Sequence, residues 1–250
     1  MTRIGARGGN VPNMDTLEHL APGIVSWRAI HPDWNTTYER VACHALRFDD
    51  GLLLIDPLLS GTDEAALLAE LRAFAPTGVV VVHAYITLPA HVRDVERALD
   101  ELGTATSRIY GHVALVAHVA DSSRLVDAAT ATLPFGTQAQ PIGSPRRMEM
   151  PLYSPVHRAL VVGDVAIGVR GGLRIWQDIA GHEPWFRERF IPSIRPLLEL
   201  GAEHVLVGHG EPVIDNGKAA LAQMLRTAPV ASIRAELAGP ALVERHRATR

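Results

Sequence analysis

The stretch that most restricts the fold of this chain is residues 205–212 (VLVGHGEP), near its C-terminus. A short apolar run that stops at glycine is typical of a buried strand. Glycines on both sides of His209 allow the backbone to turn sharply and keep the imidazole approachable. The sequence therefore predicts a core strand that presents one histidine at its carboxyl end.

A second stretch, residues 160–164 (LVVGD), repeats this pattern with a carboxylate in place of the imidazole. In open α/β sheets, ligands collect at the carboxyl ends of strands. We therefore predict that Asp164 and His209 meet at one place and act as catalytic or metal-binding residues. The alternative is a structural role, in which Asp164 caps neighbouring backbone N–H groups.

The order of three stretches resembles the metallo-β-lactamase fold superfamily. Residues 49–57 (DDGLLLIDP) come first, Gly163 and Asp164 follow, and Gly208 and His209 come last. The match extends over roughly residues 24 to 227. The resemblance implies an α/β fold with two sheets between layers of helices, a four-layer αββα sandwich. Periodicity alone supports only the α/β class.

The family's main metal motif, His-x-His-x-Asp-His, is degenerate in this chain. It should follow the second long apolar strand, predicted at residues 79–82, and residues 83–94 (HAYITLPAHVRD) stand there. A motif that starts at His83 keeps one ligand. A motif that starts at Leu88 keeps none, and His91 falls between ligand positions.

The next histidine of the family's metal site is also missing, because residues 141–147 (PIGSPRR) occupy its region. The usual two-zinc site therefore cannot be assembled. His91 with Asp164 and His209 would still give two imidazoles and one carboxylate, a set that suits one zinc or iron(II) ion. His83 competes with His91 for the third position. We predict at most one zinc or iron ion.

Other side chains are candidates for contact with a substrate. His112 follows a predicted strand and would serve as acid, base or pocket wall, although a lone loop histidine is more often simply hydrogen-bonded. Arg146 and Arg147 would bind a carboxylate or phosphate, the alternative being a solvated face. Trp176 would line a small-molecule pocket or anchor the core.

Composition narrows the class of protein further. The chain has 250 residues, which suits one domain over residues 1–250, and a formal net charge of −3 gives no reason to expect nucleic acid or an acidic membrane as partner. We predict a flexible leader at residues 1–13 and a solvated tail at residues 239–250. The lone Cys43 and the absence of an apolar signal region favour the cytoplasm.

Hydrophobic periodicity predicts the remaining elements. A first helix is predicted to begin after Thr62, which would be its N-cap. Strands are predicted at 25–30, 41–48, 52–55, 79–82, 107–110, 160–162, 165–167, 173–176 and 204–207, and further helices at 91–102, 113–132, 184–200 and 217–227.

Two functional hypotheses follow. The first is an enzyme of this superfamily that acts on a small molecule, as a hydrolase with a reduced, mononuclear metal site. The second is a metal-free binding or scaffolding protein that keeps the fold without hydrolysis. The intact turns around Asp164 and His209 favour the first hypothesis, and the degenerate histidine motif favours the second. No Gly-x-Ser-x-Gly, Gly-x-Gly-x-x-Gly or Walker motif is present to suggest other chemistry.

Overall fold

A computed structural model describes residues 17–32, 40–78, 80–142, 148–176 and 183–227. The predicted leader and tail, and Arg146 and Arg147, lie outside these ranges. The strands are β1 (Glu18–Ala21), β2 (Ile24–Ile30), β3 (Arg40–Arg47), β4 (Gly51–Ile55), β5 (Val81–Tyr85), β6 (Ile109–Gly111), β7 (Leu125–Asp127), β8 (Gln138–Ala139), β9 (Leu152–Ser154), β10 (Ala159–Val162), β11 (Ala166–Val169), β12 (Gly172–Ile175) and β13 (His204–Val207). The α-helices are α1 (Glu64–Phe74), α2 (Val95–Leu102), α3 (Glu183–Trp185), α4 (Ile191–Ile194) and α5 (Gly217–Thr227).

The strands form two main sheets and a separate hairpin. The first sheet has seven strands in chain order, β1 to β7, and the second has the order β13-β10-β9-β8. Strands β4 to β7 run parallel, as do β10 and β13. Every residue of β4 is buried, which matches the continuous apolar run expected of a strand covered on both faces.

Three apolar clusters fill the spaces between four layers. Alternate residues of one strand face opposite sides of a sheet. Leu54 therefore belongs to the same apolar cluster as Leu71 of α1, whereas its neighbour Leu53 belongs to a cluster that includes Val161 and Leu206 of the second sheet. A third cluster joins the other face of the second sheet to the C-terminal helices, with Leu160, Val205, Phe190, Ile194 and Leu221 among its members. The predicted four-layer αββα arrangement is confirmed.

The two sheets are joined at the edge where their parallel strands end. The backbone N–H of Ala42 in β3 donates to the carbonyl of Gly208, at 2.8 Å. The ring Nε2 of His44, also in β3, lies 3.1 Å from the carbonyl of Val207. These contacts place the turn after β13 against the first sheet, beside the carboxyl ends of β4 and β5.

Two helix predictions need correction at their N-termini. The N-cap of α1 is Asp63, whose carboxylate accepts from the N–H of Ala66 at 3.1 Å, and not Thr62. The helix predicted at 91–102 begins only at Val95, after a 3-10 turn at Pro89–His91. Pro89 fits the first position of that turn, because its missing N–H has no partner there in any case.

The predicted helix at 113–132 is wrong. The segment forms 3-10 turns at Val113–Ala117 and Ser122–Arg124 and then strand β7. The Asp121 carboxylate accepts from the N–H and the hydroxyl of Ser123, at 3.0 and 2.6 Å, and such local side-chain bonds compete with an α-helix. Parallel pairing of β7 with β6 then replaces helical hydrogen bonds.

The strand predicted at 79–82 lies further along the chain, as β5 from Val81 to Tyr85. His83 therefore lies inside the strand, whereas the predicted strand ended just before it. Cys43 is fully buried, and burial raises the pKa of its thiol to about 12, so it is a small core residue rather than a reactive thiol. Within the described ranges, no helix has both the length and the apolar character that a bilayer crossing requires.

Candidate metal centre

Three predicted ligands converge at the edge where the sheets meet. His91 ends the 3-10 turn after β5, Asp164 follows β10, and His209 follows β13. Oδ1 of Asp164 lies 3.5 Å from Nε2 of His91 and 3.6 Å from Nε2 of His209. All three residues offer ligand atoms within 4.8 Å of one another, and this is the one such group in the described part of the chain.

A buried carboxylate, Asp56, orients His91 from the far side of its ring. Asp56 directly follows β4, and its Oδ2 lies 2.8 Å from Nδ1 of His91. The same carboxylate accepts from the hydroxyl of Thr87 at 2.6 Å and from its N–H at 2.8 Å. With Nδ1 held by Asp56, Nε2 of His91 is the nitrogen that faces Asp164. A metal-binding histidine usually has such a partner, often a carboxylate, at its other ring nitrogen.

The pKa values of Asp56 and His91 reflect the attraction between their charges. Burial alone would raise the pKa of the Asp56 carboxyl, but His91, Arg93 and Thr87 hold it below its ordinary value. Burial and the Arg93 charge act to lower the pKa of His91, but the Asp56 and Asp164 carboxylates outweigh them and raise it. Metal uptake at His91 would therefore compete with a proton.

His209 has the opposite electrostatic environment. Burial lowers the pKa of its imidazole to about 3, despite the nearby Asp164 carboxylate. The ring is therefore neutral at pH 7, the form in which a nitrogen can bind a metal. The Trp176 ring packs edge-on against it, with centroids 4.4 Å apart.

Glycines permit the close approach of the loops that carry these ligands. A Cβ atom on Gly163 would lie 2.5 Å from the Thr87 hydroxyl oxygen and 2.4 Å from a methyl carbon of Leu88. Gly210 has a φ of +76° and lies against the backbone of Gly168. The two Gly-containing motifs are thus required by packing at the centre as well as by the turns.

The donor set fits a transition-metal ion. Ligands held about 2.0–2.2 Å from a tetrahedral zinc ion are about 3.3–3.6 Å apart. The two separations from Asp164, 3.5 and 3.6 Å, match this spacing. Two imidazoles and one carboxylate are also a donor set that zinc and iron(II) accept. Three protein ligands would leave coordination positions open, as in catalytic rather than structural sites.

Two other predicted site residues, His83 and His112, do not join this group. His83 accepts from the N–H of Arg108 through Nδ1, at 3.0 Å, and its ring packs edge-on against Tyr110. It is not brought to the ligand group, because β5 continues two residues beyond it. His112 accepts from the N–H of Ala114 at 3.0 Å and so caps the 3-10 turn that follows. Of the predicted substrate-binding residues, the structure places Trp176 beside the ligands.

The sequence does not mark Thr87 as part of the site. No motif marks it, since a lone threonine after a strand is common. Only its two hydrogen bonds to Asp56 show that it contributes to the orientation of His91.

Comparison with known proteins shows the fold. The sequence matches no protein-family model and no curated protein. Among solved structures, the DIM-1 metallo-β-lactamase aligns over 86% of this chain and 97% of its own, with a TM-score of 0.61 and 12% identity. A metallo-β-lactamase from Pontibacter korlensis aligns over 85% of this chain and 99% of its own, with a TM-score of 0.57 and 14% identity.

A third similar structure is described as a peroxy diiron species of the chemotaxis sensor ODP. It aligns over 92% of this chain and 99% of its own, with a TM-score of 0.53 and 14% identity. The chain therefore has the metallo-β-lactamase fold. Structures with this fold include both β-lactamases and a diiron sensor, so the fold alone does not define an activity.

Proposed function

We propose that this protein binds one zinc or iron(II) ion through His91, Asp164 and His209 and hydrolyses a small molecule. The observation that carries the proposal is the convergence of these donors, with Asp164 at 3.5 and 3.6 Å from the two imidazoles. Such an ion, when bound, supplies Lewis acidity and lowers the pKa of a coordinated water.

The protein's own residues prepare the site for this chemistry. Asp56 holds Nδ1 of His91, so that Nε2 faces the ligand position. The low pKa of His209 keeps that imidazole unprotonated above about pH 3. Asp164 supplies the negative charge between the two rings. Burial of both histidines, which are 4% and 1% exposed, limits water around the donors and strengthens their electrostatic interaction with a cation.

A small-molecule substrate suits the surroundings of the site. Trp176 packs on His209 and offers an aromatic wall beside the ligands. Arg146 and Arg147 remain proposed anion-binding residues, which would select a carboxylate or phosphate on the substrate. Their replacement by alanine should weaken binding of such a substrate and leave neutral esters unaffected.

The metal content of the purified protein tests the metal site. We expect about one zinc or iron ion per chain from protein purified without chelator, and a marked loss from His91→Ala, Asp164→Asn and His209→Ala. His83→Ala is the matched control, because it removes the competing histidine and should leave metal content unchanged. Two tightly bound ions per chain, or equal metal in all variants, would contradict the assignment.

Hydrolysis is tested separately with a panel of esters, lactones, thioesters and phosphodiesters. Activity that disappears with chelator and returns with zinc or iron supports the proposal. One observation favours the metal-free alternative: the raised pKa of His91 allows it to pair with Asp164 as a cation. A protein that folds normally, takes up no metal and hydrolyses none of the panel would be such a binding or scaffolding protein.

A further inference from the structure

One buried carboxylate outside the ligand group holds the turn that carries Asp164. Glu149 is 1% exposed, and it precedes β9 in the chain. Its Oε1 accepts from the N–H of Gly163 at 2.9 Å and from the N–H of Val165 at 3.1 Å. These two amides flank Asp164 on either side, so one oxygen atom holds both ends of the three-residue turn.

This contact acts on a turn that lies outside strand pairing. Residues 163–165 lie between β10 and β11 and belong to neither strand. Hydrogen bonds from backbone N–H groups to a carboxylate are about twice as strong as those between neutral groups. A carboxylate is buried at this depth only when it is hydrogen-bonded, since desolvation otherwise disfavours its charge. The Glu149 bonds therefore act on the direction in which Asp164 points.

The same segment is tied to the loop that carries the other ligand from the first sheet. The N–H of Met150 donates to the carbonyl of Thr87 at 2.8 Å. Thr87 in turn donates to Asp56, which holds His91. Residues 149 and 150 thus contact both the Asp164 turn and the His91 loop, and so connect two candidate ligands that come from different sheets.

We infer that Glu149 is a positioning residue for Asp164 and sets the metal affinity of the centre without touching the metal. The inference rests on the proposed function, because it assumes that Asp164 is a ligand. Residues that orient a metal ligand typically contribute about 10- to 100-fold to metal affinity. Glu149→Ala removes both acceptor contacts, whereas Glu149→Gln retains an oxygen acceptor and should restore most of the affinity.

Zinc affinity, measured by competition with a chromophoric chelator, is the main test. We expect Glu149→Ala to weaken zinc binding by about 10- to 100-fold, and Glu149→Gln to lie closer to the parent protein. Glu96→Ala is the matched control, since Glu96 also accepts from two consecutive backbone amides, Ala120 and Asp121, each at 2.8 Å. It lies outside the ligand group and should leave zinc affinity unchanged even where it lowers the melting temperature.

Amide hydrogen exchange in the metal-free protein tests the contact independently of any metal. The amides of Gly163 and Val165 should exchange about 10- to 100-fold faster in Glu149→Ala than in the parent, because a charge-assisted hydrogen bond is lost. Unchanged exchange would overturn the inference, whatever the metal data show.

Asp164→Asn separates the failure of this inference from failure of the proposed function. If Asp164→Asn loses zinc and Glu149→Ala binds it as tightly as the parent, the positioning role is wrong and the metal site stands. If Asp164→Asn binds zinc like the parent, Asp164 is not a ligand, and both the proposed site and the inference built on it are wrong.

Discussion

At the scale of single residues, Asp56 connects the most parts of the candidate site. Its side chain contacts Thr87 and His91, and its backbone carbonyl accepts from Arg93 at 3.2 Å. Asp56 has a φ of +49°, a conformation that asparagine also tolerates. Asp56→Asn therefore keeps the backbone while it removes the charge that orients His91.

We predict that Asp56→Asn weakens zinc binding by about 10- to 100-fold, since second partners of metal-binding histidines contribute this much. Chelator competition measures the affinity. Asp94→Asn is the control, because Asp94 also accepts backbone bonds nearby, from Leu59 at 2.9 Å and Ser60 at 2.8 Å, and does not contact a ligand. An equal loss of affinity in both variants would mean that the effect reflects stability rather than orientation.

Residues adjacent to turns were predictable, and residues that act across the fold were not. Asp164 and His209 each follow an apolar strand and a glycine, so the sequence marks them locally. Glu149 follows no comparable signal, since its two partners are 14 and 16 positions away and its role depends on their approach. Between His83 and His91, the choice depended on where β5 ends, which a run of valines does not specify.

At the scale of elements, the start of α1 carries a testable local contribution. The Asp63 carboxylate accepts from the N–H of Ala66, one of the amides that a helix N-terminus leaves without a helical partner. Asp63→Ala should lower the free energy of unfolding by about 1 kcal/mol, and Asp63→Asn should retain most of it. Urea denaturation measures the difference. Equal losses in the two variants would show that charge rather than capping stabilises α1.

Secondary-structure prediction succeeded for elements whose boundaries are clear in the sequence. Strand β13 and helix α5 were predicted at their observed positions, because Gly208 ends the first and the apolar residues of the second repeat at helical spacing. The prediction for residues 113–132 was wrong because β7 pairs with β6 through residues about 16 positions apart. Hydrophobic periodicity within one segment contains no information about such a distant partner. Local patterns thus identified isolated elements better than partners within a sheet.

At the scale of the whole molecule, the four layers could be predicted from the ordered turns and not from periodicity. Strands covered on both faces, such as β4, show a continuous apolar run that does not indicate which sheet they join. The ligands come from loops of both sheets, His91 from the first and Asp164 and His209 from the second. Any substitution that weakens the contacts between the two sheets should therefore disturb the metal centre as well as the core.

The junction of the sheets contains a buried histidine that should make the fold sensitive to acid. His44 is 1% exposed, and burial lowers its pKa from 6.5 to about 4, despite the hydrogen bond to Val207. Arg28 opposes its charge further, while Asp56 favours it. Between pH 6.5 and 4 the unfolded chain binds a proton at this position and the folded chain does not. Stability is therefore retained above pH 6.5 and is lost as the pH falls below it.

We predict that the free energy of unfolding of the metal-free protein falls by about 3 kcal/mol from pH 7 to pH 4 because of His44 alone. Each pKa unit between the folded and unfolded states is worth about 1.4 kcal/mol. Urea denaturation of the parent and of His44→Gln at several pH values measures the effect. The glutamine amide can still donate to Val207 and does not titrate. Both proteins keep His209, so the difference between their two pH profiles isolates His44. Parallel profiles would show that His44 is not buried in its neutral form at the junction.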